Sequence, residues 1–346
     1  MIISFNPKVF QSQDERTQVA LANILVELMK EKNIHHFINI KSIYAIFYNE
    51  IGEYIFDSNA ISQTHLSLNQ RKFLKEFISK ASRSITSLHK QHLRHIVIGN
   101  DEHHKEIYPE NAYKIITERS KIIVENGIND WKFINGLCRK YSSGKTDRRS
   151  IYKLLDQAIK NEIIEAENCG GIGEMIKVTQ RWIESDRYKN IFQYKLMAIF
   201  DSDKALLSVE TRHKNKIEYF KRKKINTTQG IDYEHDSDLI IWHILYKRKI
   251  ENYIPLNVLF ANIKSITSDQ ITDLKSKTNN ELDFIEYSKE NIGEFKIKEQ
   301  FPEMFLANFS YSDLEKRCEH HKLFLKEANE LVSEIEQILL KIVKII

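Results

Sequence analysis

Runs of apolar residues alternate with stretches of helical periodicity through the middle of the chain. The runs predict four strands, at about 122–124, 163–167, 194–200 and 239–245. Between them, apolar residues recur every three or four positions, which predicts helices around 131–137, 151–159, 174–182 and 210–224. Strands that alternate with helices indicate an α/β unit whose mostly parallel sheet is buried on both faces.

The segments on either side of this unit lack the alternation. Capping-box spacing at Ser12 and Glu15 predicts a helix start, and apolar spacing predicts a second helix over 69–93, so residues 1–117 are predicted as a helical N-terminal region. The core is assigned to 118–258, and 259–346 is predicted as a helical C-terminal region. Its apolar stripe (Ala328, Leu331, Ile335, Ile338 and Ile342) has two interpretations, a homodimer seam or, by preference, packing within the chain.

Composition narrows the class of protein. The chain has 346 residues with only 10 Gly and 4 Pro, which disfavours a turn-rich all-β architecture. Its net charge of +4 is too small to identify a nucleic-acid binder. Three cysteines without a CxxC pair argue against a disulfide framework or a zinc ribbon. With no export signal or membrane-spanning run recognised, we expect a cytoplasmic protein that does not bind membranes.

Acidic residues follow the predicted strands. Glu125 ends the first strand and Asp130 begins the next helix, whereas Asp201 and Asp203 end the third strand in the pattern DxD. Ligands of an open parallel sheet bind beyond the carboxyl ends of its strands, so these side chains are expected at one edge. Carboxylates without cysteine or paired histidine favour Mg²⁺ or Mn²⁺, and two such ions can catalyse phosphodiester hydrolysis.

Three segments resemble the motifs of TOPRIM domains in nucleases of the overcoming-lysogenisation-defect type and related phage-defence proteins. They are Ile122–Asp130, Ala198–Asp203 and Tyr246–Pro255, which together span roughly residues 118–258. The resemblance implies a Rossmann-like TOPRIM core, Glu125 as metal ligand or general acid/base, and Asp201 and Asp203 as catalytic metal ligands. It also makes Asp130 and Glu251 candidate metal ligands. Lys249 stands where members usually have a glutamate and is a candidate catalytic residue.

The chain also departs from that family. One extra residue separates Glu125 from Asp130, and no ATPase region precedes the core. Gly144-Lys145-Thr146 is similar to the end of a phosphate-binding loop, but Arg139 occupies the position of its first glycine. An ATPase is therefore expected only as a separate partner chain. Basic residues near the acids are candidate nucleic-acid ligands; they are Arg212, Lys214, Lys216, Lys221, Lys247 and Arg248.

Two hypotheses from different classes follow. The first is a metal-dependent endonuclease that cuts DNA or RNA, with a role in bacterial antiphage defence implied by the resemblance. The second is a non-catalytic module that binds nucleic acid or a partner. A primase or topoisomerase is disfavoured, since the chain is short and lacks zinc-ribbon cysteines.

Overall fold

The computed structural model of the chain describes residues 1–83, 90–224, 238–289, 297–307, 309–325 and 329–346. The strands are β1 Ile2–Phe5, β2 Phe37–Ile38, β3 His95–Ile98, β4 Ser120–Val124, β5 Ile164–Asn168, β6 Leu196–Phe200, β7 Ile241–Ile244, β8 Lys322–Leu325 and β9 Glu330–Ser333. The helices are α1 Glu15–Leu28, α2 Ile40–Phe47, α3 Ala60–His65, α4 Leu68–Arg83, α5 Pro109–Thr117, α6 Asn129–Ser143, α7 Arg149–Lys160, α8 Met175–Glu184, α9 Phe192–Lys195, α10 Lys214–Lys221, α11 Leu256–Asn262, α12 Ser268–Ser276, α13 Asn279–Phe284, α14 Ile297–Met304, α15 Tyr311–Cys318 and α16 Glu334–Val343.

A four-stranded parallel sheet forms the centre of the molecule, in the order β5-β4-β6-β7. Strands β4, β6 and β7 are rich in apolar residues, as expected for strands covered on both faces, whereas the edge strand β5 carries Glu165, Glu167 and Asn168. All four strands were predicted from the sequence, and the prediction of an α/β architecture with a mostly parallel sheet is confirmed. The chain passes from β4 to β5 on one side and then crosses to β6 on the other. This reversal makes the β4/β6 boundary a topological switch point, where open α/β sheets bind ligands.

The two faces of this sheet belong to two hydrophobic cores. Val124 and Met197 point into a core that contains α6, α7 and the C-terminal helices. Their chain neighbours Ile123 and Ala198 point into the other core, which contains most of the N-terminal region. This alternation follows from the two-residue repeat of a strand. The flanking regions therefore cover the sheet and share its cores.

The N-terminal region, which was predicted as helical, contains strands as well as helices. Strands β2-β1-β3 form a second parallel sheet there, with Ile3 and Ile96 fully or nearly fully buried in its core. The predicted second helix ends near Arg83 in the described part, and residues 84–89 lie outside it. A four-residue apolar run such as 95–98 has no periodicity that separates strand from helix, which is why these strands were missed.

The C-terminal region is also not purely helical, because β8 and β9 form an antiparallel hairpin. Ile335, Ile338 and Ile342 are completely buried within the chain's own core, so this part of the stripe is an intramolecular packing surface. Leu331 lies on β9 and is exposed, while Ala328 lies outside the described residues. In the described part of the chain, no helix is both long and apolar enough to cross a membrane.

Candidate active site at the carboxyl edge of the central sheet

Glu125 and Asp201 lie immediately beyond the ends of two neighbouring strands. The register of β4 and β6 pairs Ile122 with Met197 and Ile123 with Ala198, and both strands run the same way. Adjacent strands are about 4.8 Å apart, so residues that leave them at one edge are close together. With Asp130, both acids line a small cavity of about 10 Å³ at this edge, roughly the space of one water molecule.

Glycine allows the loop after β4 to lie against the neighbouring strand. A Cβ atom built on Gly127 would stand 2.9 Å from Cβ of Asn168, the last residue of β5. The loop then turns at Asn126, whose backbone N–H donates to Asp130 Oδ2 at 2.9 Å. This hydrogen bond holds the Asp130 carboxylate near the end of β4, despite the extra residue between Glu125 and Asp130.

Backbone contacts hold the DxD segment beside the segment after β7. Ser202 is completely buried, and its hydroxyl donates to the Lys247 carbonyl at 2.8 Å. The Asp203 N–H donates to the Arg248 carbonyl at 3.0 Å, with Asp203 in the left-handed region at φ +50°. Aspartate tolerates that conformation better than most residues. Asp201 and Asp203 are thereby separated by a buried serine and placed near Lys249.

After β7, Ile250–Tyr253 form a short 3-10 helix that is preceded by Lys249. The side chains of Asn252 and Tyr253 anchor this helix. The Asn252 amide is buried and donates to the Leu282 and Ile285 carbonyls at 2.9 and 3.0 Å. The Tyr253 hydroxyl is bonded to the buried Glu334 carboxylate. With those side chains fixed inside, Lys249 and Glu251 are presented at the sheet edge.

The acids of the site interact electrostatically. Burial raises the pKa of Asp201 well above its ordinary value, and the charges of Glu251 and Glu125 raise it further. Burial also raises the pKa of Glu125, with a second contribution from Asp203. For Asp130, burial raises the pKa to about 6. The structure thus brings all five predicted carboxylates, Glu125, Asp130, Asp201, Asp203 and Glu251, into one electrostatic cluster.

Asp203 differs from its neighbours, since its pKa is lowered. The main cause is a hydrogen bond with His213, whose Nε2 lies 3.1 Å from Asp203 Oδ2. Lys249 Nζ lies 3.5 Å from the other carboxylate oxygen. Burial by itself lowers the pKa of Lys249, but the charges of Asp201 and Asp203 outweigh it and raise the pKa. The surroundings therefore favour the ionised form of Asp203, whereas they favour the protonated form of Asp201.

His213 is a site residue that the sequence did not reveal. It is 6% exposed, and it reaches Asp203 because the chain after β6 folds back. Thr211 anchors this return by donating its hydroxyl hydrogen to the Ser202 carbonyl at 2.8 Å. The only signal in the sequence was the short distance from Asp203, which does not show that the loop closes.

The predicted nucleic-acid ligands divide into exposed and buried residues. Arg212 and Lys214 are exposed, whereas Arg248 is partly buried and paired with Glu286 at 2.9 Å. Lys247 was wrongly predicted as a surface ligand, because it is 1% exposed and its ammonium binds the buried Asp283. Lys221 is also buried, with its ammonium over the Trp242 ring.

Lys216 is 7% exposed, which argues against a surface phosphate contact. Its charge lowers the pKa of Glu125, so it faces the acidic cluster. Lys216 is thus better placed to act within the site than along its rim.

The segment Gly144-Lys145-Thr146 lies elsewhere, between α6 and α7. Lys145 and Thr146 line a separate polar pocket of about 480 Å³ with Tyr141 and Tyr311. A phosphate-binding loop connects a strand to a helix, whereas this segment connects two helices. The pocket shares none of its lining residues with the small cavity at the sheet edge.

Within the described ranges, no group of three or more His, Cys, Asp or Glu side chains stands close enough together to hold a metal ion. No protein-family model, curated protein or solved structure matches the chain.

Proposed function

We propose that this chain is a metal-dependent nuclease that hydrolyses phosphodiester bonds at the acidic edge of the central sheet. The observation that supports it is the position of Glu125 and Asp201, which follow adjacent parallel strands at the switch point, where the charge of Glu125 raises the pKa of Asp201. The TOPRIM relationship and an antiphage role are part of the same proposal, supported by the three sequence motifs alone.

The side chains fit a hard divalent cation. The donors are carboxylate oxygens, and burial leaves Glu125 Oε1 without a hydrogen-bond donor among the described residues. Burial is the main cause of the raised pKa values of Glu125, Asp130 and Asp201, and repulsion from neighbouring carboxylates raises them further. A divalent cation relieves such repulsion.

Mg²⁺ does not require a closed cage of protein ligands. That ion keeps several water molecules and is held by one or two carboxylates together with substrate phosphate, rather than by a closed protein cage. We assign Asp201, Asp203 and Glu125 as direct candidates, with Asp130 and Glu251 around them. Five carboxylates supply enough negative charge to balance two divalent ions.

When bound, Mg²⁺ or Mn²⁺ lowers the pKa of water and stabilises the negative charge of a departing oxygen. The residues of the chain then have distinct roles. Burial raises the pKa of Glu125, which suits its carboxyl group to accept and return a proton. Asp203 stays ionised beside His213, and the Lys249 ammonium attracts the scissile phosphate.

Replacing Asp203 tests the proposal. Asp203→Asn keeps the size and hydrogen-bonding capacity of the side chain but removes its charge, so cleavage of DNA or RNA with Mg²⁺ or Mn²⁺ should fall about 100-fold or more. Circular dichroism and filter binding should show the fold and most substrate binding retained. The matched control is Asp57→Asn, at an exposed position in the N-terminal region.

Two results would contradict the nuclease proposal. One is cleavage that survives in Asp203→Asn at the rate of the control. The other is wild-type protein that binds DNA and RNA in the presence of either metal but cuts neither, which would favour the non-catalytic binding module.

A further inference from the structure

The loop between β6 and α10 leaves the acidic site and returns to it. It begins at Asp203 and is held at its return by Thr211, whose hydroxyl bonds the Ser202 carbonyl, and by His213, which contacts the Asp203 carboxylate. Near its start, Arg248 donates to the Lys204 carbonyl at 3.3 Å. Both ends of the loop are therefore fixed at the DxD segment.

Its length limits how far the loop can extend. Residues 204–210 lie between the fixed ends at Asp203 and Thr211. An extended chain spans about 3.5 Å per residue, so no residue of the loop is more than about 14 Å along the chain from an end. A turn shortens it further, since the Val209 N–H donates to the Leu206 carbonyl at 3.1 Å. The tip of the loop is consequently close to the catalytic candidates.

That tip is apolar and exposed. Leu206, Leu207 and Val209 are 59%, 48% and 42% exposed. Ile128, in the loop after β4, is 69% exposed and follows the turn at Asn126. These four residues, which we call the apolar rim, lie on the two loops that carry the acids. Leu206, Leu207 and Val209 lie close together in the chain, and exposed apolar residues grouped beside a polar site indicate contact with another molecule.

The side chains of the apolar rim are suited to contact the base faces of a nucleic acid and not its phosphates. Leucine, valine and isoleucine side chains form no hydrogen bonds with phosphates or base edges, but they cover the faces of unstacked bases. Arg212 and Lys214 are exposed just beyond the loop and supply the positive charge that phosphates require. A paired duplex keeps its base faces stacked inside, so apolar side chains reach them only where a base step is opened.

We infer that the apolar rim binds the faces of unpaired bases, so that the substrate is a single strand or an opened end of a duplex. This inference depends on the proposed nuclease function and specifies its substrate class. Lysine and arginine residues bind the backbone at the same edge, while the rim holds the strand with its bases splayed next to the carboxylates.

Binding measurements test the inference separately from cleavage. The protein would carry Asp203→Asn to prevent cutting, with Mg²⁺ present, and fluorescence anisotropy would report binding of labelled 20-nucleotide DNA. Adding Leu206→Ser and Leu207→Ser should weaken single-strand binding by roughly tenfold or more, since both changes remove apolar surface that bases would cover. Binding to duplex, and to a strand with a run of abasic sites, should change less than about twofold.

Two further variants complete the design. Leu206→Trp enlarges the surface available for base contact and should tighten single-strand binding. Leu68→Ser replaces a leucine that is 72% exposed in the N-terminal region, and it should leave all three affinities unchanged.

An equal loss on the intact and abasic strands, or no loss at all, would overturn the inference while leaving the nuclease proposal to its own cleavage assay. If the Asp203→Asn protein binds no nucleic acid and wild type cuts none, both proposals are wrong.

Discussion

The charge of Asp130 should destabilise the fold at neutral and alkaline pH. Burial raises the pKa of its carboxyl from 3.8 to about 6. A raised pKa means that the folded state binds the proton more tightly, so the stability from this group is complete below pH 3.8 and is lost as pH rises through about 6. A shift of about two units corresponds to about 3 kcal/mol at pH 8 and to about half of that at pH 5.

Asp130→Asn removes the charge but leaves an amide oxygen to accept the hydrogen bond from the Asn126 N–H. We therefore expect the variant to have a free energy of unfolding higher than wild type by up to about 3 kcal/mol at pH 8, with a smaller gain at pH 5. Urea unfolding followed by circular dichroism at both pH values measures the difference. Asp57→Asn, at an exposed position, is the control.

A loss of stability in Asp130→Asn at pH 8, or a gain of the same size at both pH values, would refute this reasoning. The first result would show that the carboxylate is stabilised by its surroundings. The second would show that the gain comes from packing and not from the removed charge. In a third measurement, at pH 8 with Mg²⁺, the gain in the free energy of unfolding should be smaller, because a bound cation compensates the charge of Asp130 in the wild type.

Two other substitutions test the contacts around the site. His213→Ala removes the hydrogen bond that lowers the pKa of Asp203, so the acidic limb of the cleavage profile should move to higher pH; an unchanged limb would contradict the contact. Glu334→Leu leaves His243, the Tyr246 N–H and Tyr253 without their buried acceptor, and the free energy of unfolding should fall by about 3 kcal/mol or more, as urea unfolding would show. A loss below about 1 kcal/mol would mean that other groups replace the carboxylate.

The central sheet could be predicted from the sequence because most of its strands are short apolar runs that lie between helices of clear periodicity. Ile122–Val124 and 194–200 are examples, and each is followed directly by acids. In a parallel sheet, strand ends share an edge, so the grouping of Glu125 with Asp201 and Asp203 followed from connectivity alone.

The remaining features depend on contacts between segments distant in the chain. β1 and β3 are too short for their own pattern to separate strand from helix, and pairing between them decides their form. From the sequence, Lys247 was expected at the surface, but it is buried and its ammonium binds Asp283, which is 36 residues away in the chain. His213 enters the site because Thr211 closes the loop onto Ser202.

The sequence by itself therefore determined which residues end the strands and what chemistry their side chains offer. Only the tertiary structure decided which cations are exposed, which acid is ionised and which apolar residues lie beside the carboxylates. Local periodicity follows from neighbouring residues, whereas burial and electrostatic interaction depend on the distances that folding sets between remote ones.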